Sequence, residues 1–459
     1  MNQEQISAIV KSQRVYFQTG ATLAVDGRIA ALKKLKKAII ENESAVKEAL
    51  KSDLGKSGME GYMCETGLVL DEIRYFLKNI RAFSKDEKVK TPIVQFSSCS
   101  YKKPMPYGVV LVMSPWNYPF LLTLDPVVEA LAAGNTVVVK PSAYSPATSA
   151  LIQRLLENIF PKEYVSVVTG GREENSFLLE QKFDYIFFTG SKGVGQMVLE
   201  KAAKHITPVT LELGGKSPCI VDSSVDLKLA ARRIVFGKYL NCGQTCVAPD
   251  YILCERTVKD QFVACVKAEL KAQYGKDYLK NANYGKIVSR KHFDRIVELI
   301  DAAKVVAGGR SDADTLKIEP TVLDNVTWED KVMQEEIFGP IMPILTFDSA
   351  NEVIEVVNSH EKPLALYVFS EHKAFVENIT SRCTFGGGCV NDVVIHLATS
   401  HMGFGGVGES GMGTYHGKSG FETFTHYKSI VDKKTWLDLP MRYQPYNKMK
   451  ERLIRMFLK

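Results

Sequence analysis

Long hydrophobic runs are missing from this chain. No apolar stretch approaches the roughly 20 residues that a membrane-spanning helix needs, which argues against an integral membrane protein. The opening residues, MNQEQISAIVKSQRVYFQTG, are polar and hold no apolar signal core. They read as mature protein, and the expected location is the cytoplasm. There is no Ser/Gly-rich or Pro-rich linker, no low-complexity tract and no fixed-period repeat, so a solenoid or a propeller is not expected. The nine cysteines include no CxxC pair, which leaves a zinc ribbon or a thioredoxin motif without support. In a reducing compartment such thiols are by default buried and inert. A basic field is also absent from most of the chain. The formal net charge is +6, and residues 442–459 hold six Lys/Arg against Glu451 alone, so the body is near neutral. Nothing in it calls for nucleic acid.

What is present is a chain of 459 residues with 45% apolar and 24% charged side chains, ordinary for a folded protein and long enough for two domains. Residues 22–82 read as helical: Leu32, Leu35 and Ile39 recur at helical spacing, as do Val69, Ile73 and Phe76, with Gly55 and Gly58 between the two segments. Residues 88–106 change to an extended Ser-, Val-, Lys- and Pro-containing excursion. From Gly108 short β-rich runs at 109–113, 136–139, 165–168, 185–189 and 209–213 alternate with helix-length segments at 122–133, 146–159, 173–181 and 192–204. That alternation predicts a parallel sheet covered on both faces. A second α/β unit starts near Ser217 and runs to about residue 410, and a strand-like run follows at 424–431.

Four local patterns carry candidate chemistry, each beside a plainer reading. Gly190-Ser191-Lys192-Gly193-Val194-Gly195 follows a strand and opens a helix, where backbone N–H groups can meet a phosphate, or where a simple strand–helix turn needs glycine. Glu212, at a strand end before Gly214 and Gly215, can hold a water in a cleft or sit on the surface. Cys242 and Cys246 flank Gly243-Gln244-Thr245, and either can be a reactive thiolate or a buried thiol. Asn117, between Pro115 and Pro119, can offer an amide donor to a developing oxyanion or occupy a rigid turn.

Six segments in order, PWNYP at 115–119, KPS at 140–142, FTGSKGVG at 188–195, LELGGKSP at 211–218, GQTC at 243–246 and QEEIFGP at 334–340, give the chain a resemblance to the aldehyde dehydrogenase superfamily over about residues 20–435. The compact length, GYMCETGLVLDEIRYFLKN and HMGFGGVGESGMGTYHG are similar to the class 3 branch. The resemblance implies an α/β fold: a Rossmann-like cofactor domain from 1–87 and 107–210, an α/β catalytic domain from 211–410, and a small β oligomerisation extension from 88–106 and 411–459. It implies that Cys246, not Cys242, attacks the aldehyde, that Asn117 and the Cys246 N–H receive the oxyanion, and that Glu212 activates the water that hydrolyses the thioester. It assigns Trp116, Lys140, Ser142, Gly190, Ser191, Gly195, Leu213, Glu336 and Phe338 to the nicotinamide cofactor, NAD or NADP, and no metal. Tyr62 and Tyr118 become candidate substrate-pocket aromatics. A homodimer and medium-to-long aliphatic or aromatic aldehydes are expected.

Two positions depart from the branch. Many relatives follow KPS with Glu, whose carboxylate binds the adenine ribose; here it is Ala143, which predicts acceptance of NADP. Gly403 stands where proline is common before FGG, and gives that loop more backbone freedom. Two rival readings are a CoA-acylating enzyme, which Glu212 argues against, and a non-catalytic binding protein on the same scaffold, which the trio Cys246, Glu212 and Asn117 argues against. In the basic tail, Met449, Leu453, Met456 and Phe457 fall near one helical face that suits packing on the body or on a dimer partner or, as the alternative, weak membrane-surface contact.

Overall fold

The computed structural model describes residues 1–458 of the chain. Its first sheet has six strands in the order Gly411–Met412, Val209–Glu212, Tyr185–Thr189, Val109–Met113, Thr136–Lys140 and Val165–Val167. All neighbours are parallel except the two-residue edge strand, which runs antiparallel to Val209–Glu212. Val109–Met113, Thr136–Lys140 and Tyr185–Thr189 are buried at every position. Helices cover both faces, so runs rich in β-branched and aromatic residues replace an alternating pattern. The helices Leu121–Ala133, Pro146–Ile159 and Lys192–Ala203 lie close to their expected bounds.

A second sheet of seven strands is ordered Val305–Ala307, Thr321–Leu323, Ile341–Phe347, Tyr251–Glu255, Pro218–Val221, Ala365–Phe369 and Gly387–Val390. A third, antiparallel sheet joins Glu87–Val89, Ser98–Pro106 and Thr425–Lys433, so the extended excursion and the late strand pair with each other. Among the described residues no helix is long and apolar enough to cross a membrane.

The strand pairing moves the expected boundaries. Glu212 ends a strand of the first sheet, so a boundary at 210 cuts through that strand. Residues 411–424 also belong to the first layer and are not part of a bridging extension. Gly411 pairs with Glu212, and the helix Gly417–Thr423 packs on Leu121–Ala133. A Cβ on Gly420 would lie 2.1 Å from the Glu129 carboxyl carbon, so only glycine permits that approach. The reason for the shift is local: a two-residue strand beginning with glycine carries no periodic signal.

The N-terminus holds a helix, Gln3–Gln18, outside the expected helical range. Its start is fixed locally, because Asn2 accepts from Gln5 N at 2.9 Å and Gln5 returns the bond. Only Ile6 and Val10 form its buried apolar stripe, and its third buried side chain is Gln13, which donates to Val137 O at 2.8 Å. The expected helical segment at 22–82 is broken at Asn42, at Gly55 (φ 68°), and by a π-turn at Tyr62–Thr66.

Candidate active site

In the first sheet the chain proceeds outward in opposite directions from the pair Val109–Met113 and Tyr185–Thr189. Ligand crevices form at the carboxyl ends of strands at such a reversal point. The loops leaving those ends, 114–119, 190–193 and 213–216, face the segments that enter the second sheet at its amino ends: 241–250, 334–340 and 361–363. Between them lies a cleft of about 710 Å³. Trp116, Asn117, Gly190, Ser191, Leu213 and Cys246 line it, with Glu336 and Phe338 on the opposing wall.

Cys246 is presented by a strained turn. Asn241, Cys242 and Gly243 all sit in the left-handed region, at φ 51°, 55° and 73°, a conformation that costs free energy for residues other than glycine. Gly243 is obligatory: a Cβ there would meet Gly339 O at 2.2 Å. Gln244 locks the turn from within. Its amide donates to Asn241 O at 3.0 Å and Lys286 O at 3.1 Å, and its Oε1 accepts from Val288 N at 3.0 Å. Asn117 Nδ2 donates to Gln244 O at 3.0 Å, which ties the proline-bounded loop to the turn and leaves the second amide hydrogen free.

The electrostatics oppose a resting thiolate. Burial pushes the Cys246 thiol up to about 12, and the Glu336 and Glu212 carboxylates add to the shift. The N–H groups of Cys246 and Val247 face its sulfur and pull the other way. Glu212 is buried, neither of its carboxylate oxygens has a partner, and burial holds its pKa well above the ordinary value. Burial raises Glu336 to about 8, with Asp250 adding to it, against a hydrogen bond from Gly215 and the charges of Lys216 and Arg295. Site-resolved alkylation of Cys246 by iodoacetamide in the cofactor-free protein is therefore expected to quicken about tenfold per pH unit from 7 to 10, following the thiolate fraction. A plateau below pH 9, read by mass spectrometry of the Cys246 peptide, would contradict this.

The opposing wall is fixed by charges and backbone together. Lys216 Nζ binds Asp250 at 2.6 Å, Val332 O at 3.0 Å and Glu335 O at 2.9 Å, while Asp250 Oδ1 accepts from Ile337 N at 3.0 Å. Arg295 donates to Glu335 Oε1 at 2.9 Å and Ile337 O at 2.6 Å. Phe338 is held at φ 47°, with its ring 5.4 Å from Trp116 in an edge-to-face contact.

Some residues expected at the site lie behind the cleft surface. Lys140 is buried, donating to Pro141 O at 2.9 Å and Gly170 O at 2.8 Å; burial lowers its pKa to about 8. The Ser142 hydroxyl accepts from Tyr144 N at 3.2 Å, and Ala143 is exposed on the same loop. Gly195 lies inside Lys192–Ala203, where a Cβ would crowd Leu213 at 2.8 Å, so its place is one of helix packing. Tyr118 is buried with its hydroxyl 2.7 Å from Thr245 Oγ1, and Tyr62 is 43% exposed on the π-turn, outside this cleft. A Cβ on Gly403 would press on Thr414 Oγ1 at 2.6 Å and Ser419 Oγ at 2.8 Å. Among the described residues no group of three or more His, Cys, Asp or Glu is placed to hold a metal. Sequence reading missed Lys56, Glu60, Glu65, Asn241, Asp250 and Arg295, which brace the loops from segments distant in the chain. Asn241 and Asp250, close to the GQTC motif, and Glu65, inside the segment GYMCETGLVLDEIRYFLKN, had a nearby signal.

Comparison with known proteins gives the family. The family model described as Aldehyde dehydrogenase family matches residues 1–430. The chain is 46% identical over 448 residues to a 4,4'-diaponeurosporen-aldehyde dehydrogenase of Staphylococcus aureus, covering 97% of each protein. It is 44% identical over 444 residues to a dimeric NADP-preferring aldehyde dehydrogenase of Canis lupus familiaris, covering 96% of this chain and 98% of that protein. Among solved structures it superposes on one described as a substrate-bound state of Staphylococcus aureus AldH with a TM-score of 0.97, at 44% identity and 99% coverage of both chains. With the match spanning nearly the whole chain in both sequence and fold, this protein belongs to the aldehyde dehydrogenase family.

Proposed function

We propose that this chain oxidises medium- or long-chain aliphatic or aromatic aldehydes to carboxylic acids, with Cys246 as nucleophile and NADP as an accepted cofactor. The observation that carries the reading is that Cys246 and Asn117 line the cleft with the Gly190–Gly193 turn while the buried Glu212 carboxylate is near enough to act on the Cys246 thiol. Once the Cys246 thiol has released its proton to solvent water, the thiolate attacks the carbonyl carbon, and the oxyanion is received by the free Asn117 amide hydrogen and the Cys246 N–H. A nicotinamide dinucleotide held by Glu336, Phe338, Gly190 and Ser191 would supply the hydride acceptor for oxidation of the Cys246 thiohemiacetal to a thioester. Glu212 then takes a proton from water, which attacks the thioester and releases the acid. Burial without hydrogen-bond partners raises Glu212 above the ordinary carboxylate range, which makes its ionised form a stronger base toward water. The presence of this base favours hydrolysis over transfer to CoA.

The cleft suits the dinucleotide. Glu336 Oε1 is buried without a partner and matches a ribose hydroxyl donor. A Cβ on Gly193 would meet nothing within 4 Å, so the turn opens its backbone toward the cleft. Glu336, Phe338, Trp116 and Leu213 would hold the nicotinamide end, and Gly190 and Ser191 the phosphates. Ala143 offers no carboxylate to repel a 2′-phosphate, and the canine relative is named NADP-preferring. Ala143→Glu is expected to lower kcat/KM for NADP by about tenfold or more, on the order of 1.4 kcal/mol, and to leave NAD within about threefold. Equal use of NADP by wild type and variant would remove the assignment.

A second hollow of about 300 Å³ is lined by Met59, Met63, Phe236 and Leu240 together with Ser57, Glu60 and Asn283, and holds none of the groups assigned to the chemistry. A panel of aldehydes assayed with both cofactors, with free acid against acyl-CoA measured as product, tests the whole reading.

A dimer is supported by the open edge of Thr425–Lys433 and by the helix Lys448–Phe457. The helix leaves Met449 and Met456 more than half exposed, which suits a second copy of the chain. Its Lys448, Lys450, Arg452 and Arg455 equally suit an anionic membrane surface. Removing residues 445–459 is expected to weaken dimerisation by sedimentation, with only weak binding to phosphatidylserine vesicles before and after truncation. Strong vesicle binding lost on truncation would reverse the assignment.

A further inference from the structure

A buried ion pair lies behind the oxyanion donor, and the proposed reaction makes no use of it. Lys56 follows Gly55, whose left-handed φ of 68° ends the helix Glu43–Leu54 and turns the chain inward. Both Lys56 and Glu65 side chains are fully buried, with Lys56 Nζ 2.5 Å from Glu65 Oε1. The ammonium also donates to Asn117 O at 2.9 Å and lies 3.9 Å above the Tyr118 ring. Glu65 Oε2 accepts from Phe120 N at 2.8 Å and Leu121 N at 3.3 Å, at the start of Leu121–Ala133. Glu60, on the same segment, accepts from Asn241 N at 2.8 Å, and Asn241 Nδ2 donates to Asn117 O at 2.7 Å.

Stability alone is a weak reason for such a pair. Desolvating two charges costs several kcal/mol per ion, and apolar replacements of similar size are often neutral or stabilising. The partners point elsewhere. Asn117 O has two donors, one from Lys56 and one from the nucleophile turn, so its peptide is gripped from both sides. A few residues on, Glu65 fixes the chain again at Phe120 and Leu121. The free hydrogen of the Asn117 amide therefore has its aim set by a segment about 60 residues upstream, and a displacement of about 1 Å at a reacting centre can cost roughly 10²-fold in rate.

We propose that Lys56 and Glu65 are positioning residues for the oxyanion hole, acting through the backbone of Asn117. This rests on the assignment of Asn117 as oxyanion donor. Glu60 extends the same clamp to the turn before Cys246, so one segment holds the donor and the nucleophile in register.

The test is a double-mutant cycle on the full-length enzyme, with hexanal as substrate and saturating NADP. Asn117→Ala is expected to lower kcat by about 10²–10³-fold. Lys56→Met should lower kcat by roughly 30- to 100-fold, with KM for NADP within twofold and the rate of Cys246 alkylation unchanged. The double variant should be no slower than Asn117→Ala by more than about threefold, because the two changes remove one function. Losses that multiply would overturn the proposal. A near-normal kcat for Asn117→Ala would instead overturn the oxyanion assignment, so the two failures are distinct. Lys56→Met leaves Glu65 unpaired, so Lys56→Met/Glu65→Gln is the companion. It removes both charges, while the amide oxygen introduced by Glu65→Gln can still accept from Phe120 and Leu121. It is expected to fold with a Tm near wild type and to keep the kcat deficit. A folded companion with full kcat also overturns the proposal.

Discussion

Cys246→Ala is expected to lower the rate of aldehyde oxidation by about 10⁴-fold or more, while NADP binding by fluorescence titration stays within about twofold. The separation follows from the cleft. Cys246 is one of many residues lining the cleft, and the contacts proposed for the dinucleotide come from Gly190, Ser191, Leu213, Glu336 and Phe338. The turn that presents Cys246 is held by Gln244 and Asn117 through backbone atoms, so truncating the thiol leaves its braces in place. The Cys246 side chain is small and only partly buried, which keeps the cost of its truncation in stability small beside the loss in rate. NADPH production within tenfold of wild type would defeat the thioester route. A parallel loss of cofactor binding would mean that the variant had disturbed the cleft and not only the chemistry.

Glu212→Gln is expected to give a burst of NADPH close to one equivalent per active site, followed by turnover slowed about 10²–10⁴-fold, with an acyl adduct on Cys246 visible by mass spectrometry. Glutamine keeps the size of the side chain and cannot take the proton from water. Stability should move the other way. Burial raises the folded-state pKa of Glu212 above its ordinary 4.5, so above that pH the folded protein retains a proton that the unfolded chain has released. The contribution of Glu212 to stability is full below pH 4.5 and is lost as pH rises toward the folded value. Neutral glutamine carries no such penalty, so the variant should match or exceed the wild-type Tm at about pH 8, with the difference shrinking toward about pH 4.5. Normal turnover, or loss of the burst together with a lowered Tm, would remove Glu212 as the base.

The helices and strands around the cleft were legible because each is buried in a way that leaves a period. The fully apolar runs at 109–113 and 185–189 read as strands covered on both faces, and the glycines at 190 and 193 marked the turn between strand and helix. Gly195 was legible as a motif member but not for what it does, since its lack of a Cβ serves contact with Leu213. Gly411–Met412 was invisible because two residues define no period, and its place is decided by pairing with Glu212. The helix Gln3–Gln18 escaped for a related reason: it buries Gln13 where a sequence pattern expects an apolar residue.

Local order fixed the motifs: the cysteine last in GQTC, the amide between two prolines, the carboxylate at a strand end, and Ala143 after KPS. Those follow from residue type and spacing, and they sufficed to place the chain in its family. Only the tertiary structure decided which groups share a low-dielectric environment and which segments brace them. The shifts of Cys246 to about 12 and of Glu336 to about 8 arise from burial beside charges contributed by separate strands and loops. The clamp of Lys56 and Glu65 on Asn117 likewise joins residues as much as 61 apart in sequence. Desolvation and hydrogen bonding depend on distance in space, and no one-dimensional spacing encodes that distance until the chain has folded.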